Sequence, residues 1–167
     1  MSTNQDLAVN LQAEFGVLSI KNPQFCTYLI VTSLLILKMC GLTLLTIFHR
    51  QKNKTFISEE DTKMRGGTVE SNPDVERVRR AFLNDLENIP AFLIIGLAYL
   101  FVGVPNWVVH MLFYLFLIAR VCHSFVYAVY VIPQPARAIC FVLGFAIIGY
   151  MSIHVLIYGF FTGYLGK

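Results

Sequence analysis

The sequence predicts an all-α integral membrane protein, folded as a bundle of four membrane-spanning helices. Hydrophobic residues make up 56% of the 167 residues and charged residues only 14%, and the mean hydropathy is +0.63. Most charges lie between Arg50 and Glu87, and long runs nearly free of charge flank that block. A membrane span needs about 20 predominantly apolar residues. This composition and charge distribution are therefore typical of a membrane protein and not of a water-soluble domain.

Four runs of the sequence are apolar enough to cross a bilayer. We expect spans at residues 25–48, 74–104, 107–132 and 138–165, within a single membrane domain that covers residues 1–167. The polar segment 49–73 is expected as a loop between the first two spans. A membrane β-barrel is excluded because the chain lacks the alternating ten-residue segments that such barrels require.

The second span begins with a strong helix-start signal. Asn72 is suited to the N-cap, Pro73 to the first helical position, and Asp74 adds a favourable negative charge to the first turn. Pro90 lies inside the same helix and cannot donate a hydrogen bond to the carbonyl of Leu86, so we expect a kink there.

The distribution of basic residues predicts the orientation of the chain. Arg50 and several lysines lie in the loop 49–73, and Arg137 follows the proline-rich turn before the fourth span. The positive-inside rule therefore places the loops 49–73 and 132–137 in the cytoplasm. The net charge of +3 is too small to indicate a nucleic-acid partner. We expect free thiols at the four cysteines and no bound metal, since no His/Cys/carboxylate set has ligand spacing.

Isolated ionisable residues inside the spans have more than one interpretation. Lys38 lies in the middle of the first span, too deep for its ammonium to reach the membrane surface. A functional role, at a subunit contact or polar cavity, and simple structural pairing are equally compatible with that position. His110 and His154 are expected to be hydrogen-bonded packing residues.

Two stripes of polar residues indicate a binding site near the cytoplasmic end of the bundle. Spacings of three and four residues place side chains on one helix face. One stripe lies on the second helix (Arg77, Arg80, Asn84, Glu87), and the other lies inside the third span (Arg120, His123, Tyr127). Arg137 lies at the same level, at the start of the fourth helix.

These charges have a simple alternative interpretation, in which they neutralise one another. Glu87 would then pair with Arg120, and Asp85 with Arg79. From residue 77 to residue 87, together with Arg120 and Arg137, the chain has five arginines and only two acids. Because arginines in water-poor sites prefer carboxylates, the excess favours a small polycarboxylate ligand.

The same segments resemble a known family. Val75–Pro90, residues 119–127 and residues 133–137 are similar to the microsomal glutathione S-transferase 1 type within the superfamily of membrane-associated proteins in eicosanoid and glutathione metabolism (MAPEG). Lys38-Met39 and segments of the loop between residues 54 and 61 are similar too. The resemblance extends from about Leu37 to Arg137, and its helix-two motif is long and specific.

The resemblance implies a homotrimer that binds glutathione between neighbouring subunits, in the endoplasmic reticulum membrane or the mitochondrial outer membrane. It also implies detoxifying transferase and peroxidase activity toward hydrophobic electrophiles and lipid hydroperoxides. Arg137 and Tyr127 are the implied catalytic residues. The implied glutathione-binding residues are Arg50, Arg79, Arg80, Asn84, Glu87, Arg120, His123 and Tyr127. Two rival functions remain open, a prostaglandin E synthase-like enzyme and a non-enzymatic carrier or regulatory protein.

Several positions differ from the family pattern. Phe82 replaces a histidine of the helix-two motif, and Thr62 replaces a cysteine linked to activation by thiol reagents. Ala138 and Leu83 stand where the related prostaglandin E synthase has serine and arginine. The last two differences favour a transferase over a prostaglandin synthase.

Overall fold

The structure, a computed structural model, describes residues 16–165. Its helices are α1 (Pro23–Asn53), α2 (Glu59–Arg65), α3 (Pro73–Tyr99), α4 (Asn106–Ser124) and α5 (Ala136–Phe160). Two π-helical segments, Phe125–Val129 and Phe161–Leu165, continue α4 and α5. Except for α2, each helix is long and apolar enough to cross a membrane. The predicted all-α membrane bundle of four spanning helices is therefore confirmed.

The helices begin and end at different residues from those the hydropathy suggested. α1 continues beyond the predicted end at residue 48 as far as Asn53. α3 stops at Tyr99 instead of residue 104, because a hydrogen-bonded turn follows and Gly103 has a φ of +74°. α4 changes to π-helical geometry at Phe125, and the chain becomes extended at Tyr130. Hydropathy alone does not report such changes in backbone hydrogen bonding.

The predicted start of α3 is confirmed. The side-chain oxygen of Asn72 accepts a hydrogen bond from the backbone N–H of Asp74 at 2.9 Å, and Pro73 is the first helical residue. Asn53, at the end of α1, donates its side-chain amide to the same oxygen at 3.3 Å. The cap of α3 is thus tied to the end of α1. α3 is continuous across Pro90, and the kink there stays a prediction.

The segment 49–73 is more structured than a polar loop. It contains the last turn of α1 and the short helix α2, and the segments on either side of α2 form an isolated β-bridge between Thr55 and Thr68. Phe56 donates its backbone N–H to the carbonyl of Thr68, and Thr68 donates to that of Lys54, each at 3.0 Å. These bonds join the two ends of the connection between α1 and α3 to each other.

Two apolar clusters form the core. α1 and α5 each pack against α3 and α4. In the larger cluster the rings of Phe92 and Phe116 stack with centroids 3.9 Å apart, and Phe113 meets Phe92 edge-on at 5.3 Å. The smaller cluster lies nearer the α1–α3 connection and includes Leu42 and Ala81. A layer of polar side chains separates the two clusters.

At the opposite end of the bundle, single polar contacts join the helices. Gln24 donates to the carbonyl of Val104 at 2.9 Å, which ties the start of α1 to the α3–α4 turn. His110 lies 2.8 Å from the hydroxyl of Thr27, and His154 lies 3.1 Å from that of Tyr99. The prediction that both histidines are hydrogen-bonded packing residues is confirmed.

Candidate functional site

The polar layer is organised around the carboxylate of Asp85, which is fully buried. One carboxylate oxygen, Oδ1, accepts two hydrogen bonds from Arg120, from Nε at 3.1 Å and from Nη2 at 2.6 Å. The other oxygen, Oδ2, accepts from the hydroxyl of Ser124 at 3.1 Å and from the ammonium of Lys38. One carboxylate therefore joins α1, α3 and α4.

Arg120 is also fully buried, and its guanidinium is only partly satisfied. Its Nη2 donates a second bond to the side-chain oxygen of Asn84 at 2.6 Å. Its Nη1 is buried and has no hydrogen-bond partner within residues 16–165. Because a buried donor without a partner costs free energy comparable to a lost hydrogen bond, Nη1 is a candidate contact for an anionic ligand.

Sequence reasoning missed the central role of Asp85, although a signal for it exists. Val78, Ala81, Asp85, Ile89 and Phe92 follow one another at helical spacings of three and four, and all are buried. Asp85 therefore lies on the apolar face of α3, where an acid must have a partner.

The two pairings considered from the sequence are both wrong. Arg120 pairs with Asp85 and not with Glu87. Arg79 forms a partly exposed ion pair with Glu76, with nitrogen and oxygen 2.9 Å apart, and not with Asp85. Glu87 itself is exposed on α3 and makes no hydrogen bond or ion pair within the described residues. Lys38 pairs with Asp85 inside the bundle.

Beside the polar layer, a cavity of about 300 Å³ opens between α3, the end of α4 and the start of α5. The guanidinium carbon of Arg137 lies 5.0 Å from the ring centroid of Tyr127, a cation–π arrangement. The imidazole ring of His123 stacks on the ring of Tyr127, with the two ring centroids 5.7 Å apart. The lining residues are Asn84, His123, Tyr127, Gln134, Arg137, Ala138 and Phe141.

Polar atoms around this cavity are available for a ligand. His123 Nδ1 and Arg137 Nε are buried and lack partners within the described chain. Arg80 donates its Nε to the hydroxyl oxygen of Tyr127 at 3.3 Å, which leaves the hydroxyl proton free to donate elsewhere. The cavity thus presents cationic and neutral donors, the groups that hold carboxylates and other anions.

Two further predicted binding residues lie on another face of the same chain. Arg50 and Arg79 line a separate groove of about 330 Å³ between α1 and α3. Arg79 and Arg80 are adjacent in sequence, and successive helical residues point about 100° apart. One chain therefore brings Arg80, Asn84, Arg120, His123, Tyr127 and Arg137 together, but does not add Arg50, Arg79 or Glu87 to them.

The π-helical segment helps to shape the cavity. Tyr127 lies inside Phe125–Val129, where the helix widens and its register shifts by one residue. Such π-bulges frequently mark functional sites. No group of three His, Cys, Asp or Glu side chains in residues 16–165 is arranged to hold a metal ion.

Comparisons with known proteins point to one family. The sequence profile of the MAPEG family matches residues 28–157. Prostaglandin E synthase of Homo sapiens is 33% identical over 141 residues, which cover 83% of this chain and 92% of the synthase. Microsomal glutathione S-transferase 1 of Sus scrofa is 35% identical over 142 residues (81% of this chain, 91% of the transferase). The Mus musculus transferase is 37% identical over 130 residues (74% and 83%).

Proposed function

Because the chain belongs to the MAPEG family, we propose that it is a glutathione transferase of intracellular membranes. It binds glutathione in the cavity beside Arg137, favours the thiolate, and directs it to hydrophobic electrophiles that arrive from the lipid. Reduction of lipid hydroperoxides at the same site belongs to this proposal, as does a location in the endoplasmic reticulum or mitochondrial outer membrane. The relative named as a transferase and the relative named as a synthase have nearly equal sequence identity to this chain. The residues of the site must therefore distinguish the two activities.

The observation that carries the proposal is a set of buried nitrogen atoms, in or beside one cavity, that have no hydrogen-bond partner within residues 16–165. Arg120 Nη1, His123 Nδ1 and Arg137 Nε belong to side chains that surround or adjoin it. Glutathione has two carboxylates and an ionisable thiol, and guanidinium groups bind carboxylates through charge-assisted hydrogen bonds. The residues present therefore fit this co-substrate.

The chemistry assigned to the site is activation of a thiol. A thiol of pKa near 8.5 is mostly protonated at neutral pH, whereas the thiolate is the nucleophile. Lowering that pKa by about two units requires preferential stabilisation of the thiolate by about 2.7 kcal/mol. Arg137 supplies positive charge and the Tyr127 hydroxyl supplies a hydrogen bond. In conjugation, a bond forms between sulfur and the electrophilic carbon, the leaving group departs with its electron pair, and the thiol proton passes to water.

A homotrimer with shared sites belongs to the same proposal. The groove with Arg50 and Arg79 and the cavity with Arg137 lie on different faces of one chain. A neighbouring copy that brings its groove against the cavity would complete the set of binding residues. Glu87, exposed on α3, would then be available for the ammonium of the ligand.

One position in the cavity favours transferase activity over prostaglandin isomerisation. Ala138 lines the cavity directly after Arg137 and offers no hydroxyl there. If prostaglandin isomerisation depends on a serine hydroxyl at this position, this chain does not supply that hydroxyl. Assaying the purified protein with an endoperoxide substrate tests that alternative.

Replacing Arg137 with alanine tests the thiol-activating role. We expect conjugation of a model electrophile at pH 7 to fall by about tenfold or more, because the loss of stabilisation returns the thiol to a pKa near 8.5. The difference from wild type should shrink as the pH rises toward 9, since glutathione then ionises without help. Arg137→Lys is the matched control and should retain part of the rate. An equal rate for wild type and Arg137→Ala at pH 7 would show that Arg137 has no such role.

Mixed subunits test whether the site is shared. Arg79→Ala and Arg137→Ala chains are expressed together, so that a cavity with Arg137 can meet a neighbour's groove with Arg79. Random mixing of equal amounts in a trimer restores about one quarter of the sites. Activity no higher than that of the two variants purified separately would contradict a shared site.

A further inference from the structure

The buried polar layer carries more positive than negative charge. Lys38 and Arg120 each bring a positive charge, and Asp85 is their shared acid. Both Arg120 and Asp85 have fully buried side chains, and that of Lys38 is 12% exposed. The layer therefore has a net charge of +1 in a region where an uncompensated charge is costly.

Lys38 is the source of this excess. Without its ammonium, Asp85 would neutralise Arg120, and the layer would need no further anion. Lys38 lies midway along α1 and contacts Oδ2 of Asp85, whereas Arg120 contacts Oδ1. The two cations thus compete for one carboxylate from opposite sides. Lys38 also lies outside the cavity that contains Arg137 and Tyr127, so it is not placed to touch a ligand there.

We infer that Lys38 is a positioning residue that keeps Arg120 available for an anionic ligand. By sharing the charge of Asp85, it leaves the guanidinium of Arg120 with an unbalanced positive charge and with an Nη1 donor that has no partner in the described part of the chain. A ligand carboxylate at Nη1 would then bring the net charge of the layer to zero. This inference rests on the proposed binding of glutathione, and it adds a residue remote from the cavity that sets the affinity.

The hydrogen-bond pattern allows the charge to be changed without removing the contacts. In Lys38→Gln, the side-chain amide still donates to Oδ2 of Asp85, but the layer becomes neutral. In the double variant Lys38→Gln/Asp85→Asn, the amide oxygen of residue 85 still accepts from Arg120, and its NH₂ group faces the oxygen of the new glutamine. The layer of the double variant therefore has a net charge of +1 again, and Arg120 alone carries it.

The experiment measures the dissociation constant of reduced glutathione for the full-length chain in detergent, by isothermal titration calorimetry. We expect Lys38→Gln to bind glutathione roughly tenfold more weakly than wild type. The reason is the loss of one unit charge that attracts the ligand within a partly desolvated site. Lys38→Arg should bind within about twofold of wild type, since it keeps the charge. Lys38→Gln/Asp85→Asn should recover to within about threefold of wild type. A purely structural role for Lys38 predicts no such recovery.

The possible outcomes separate this inference from the proposed function. If wild type does not bind glutathione, the proposed function is wrong and the inference falls with it. If wild type binds but Lys38→Gln binds equally well, or if the double variant is no tighter than Lys38→Gln, only the role of Lys38 is refuted. Should Lys38→Gln not accumulate as folded protein, the double variant decides. It keeps the net charge, and a loss of affinity there would overturn the inference.

Discussion

Removing the carboxylate of Asp85 alone is expected to destabilise the bundle strongly, because it leaves the buried cations around it without their acid. The carboxylate accepts four hydrogen bonds, two from Arg120, one from Ser124 and one from Lys38. In Asp85→Ala, two cations remain in the interior without their acid. Breaking a buried ion pair by removing one partner costs about 3–5 kcal/mol. We expect the free energy of unfolding to fall by about that amount.

Glu87→Ala provides the matched control. It removes the same charge from the same helix two residues away, but Glu87 is exposed and has no partner in the described part of the chain. Exposed substitutions of this kind usually change stability by less than about 0.5 kcal/mol. Unfolding of both variants by SDS titration from detergent micelles, followed by far-ultraviolet circular dichroism, measures the difference. Equal free energies of unfolding for the two variants would refute the assigned role of Asp85.

A triple variant separates stability from binding. Lys38→Met, Asp85→Leu and Arg120→Met together replace the charged groups by apolar side chains of similar size. Such replacements of buried ion pairs are often neutral or stabilising. We therefore expect the triple variant to unfold no more easily than wild type and to bind no glutathione. A triple variant as unstable as Asp85→Ala would mean that packing, and not the unpaired charges, causes the loss in the single variant.

Two further predictions concern the cavity and the connection between α1 and α3. Tyr127→Phe removes a hydroxyl whose oxygen accepts from Arg80. It should slow conjugation about tenfold, the value of one hydrogen bond to a charged group, with glutathione affinity nearly unchanged in calorimetry; an unchanged rate would exclude a catalytic hydroxyl. Gly67 has a φ of +128°, and a Cβ there would collide with the carbonyl oxygen of Lys54. Gly67→Ala should therefore increase protease cleavage between residues 54 and 68 more than Gly66→Ala does. Gly66 shares a positive φ, +65°, but a Cβ there would meet no atom of the described residues, so only Gly67→Ala adds a clash. Equal cleavage of the two variants would contradict the clash.

The sequence predicted the features that depend on local composition and helical periodicity. Long apolar runs require helices in a bilayer, because backbone groups there must be paired within the segment. The cap formed by Asn72 depends on residues that follow it directly in the chain. The polar stripe of Arg120, His123 and Tyr127 was likewise readable from spacing, and the structure places all three in or beside one cavity.

The identity of each buried partner required the tertiary structure. Lys38 and Asp85 are 47 positions apart, and Asp85 and Arg120 are 35 apart. Which of several acids meets which cation depends on the rotation and axial offset of packed helices, and these are determined by ridges, grooves and core volume over the whole bundle. The separation of Arg79 from Arg80 has the same origin, since neighbouring residues on α3 face different helices. Spacing along one helix therefore determines which side chains share a face, and only packing between helices decides what that face contacts.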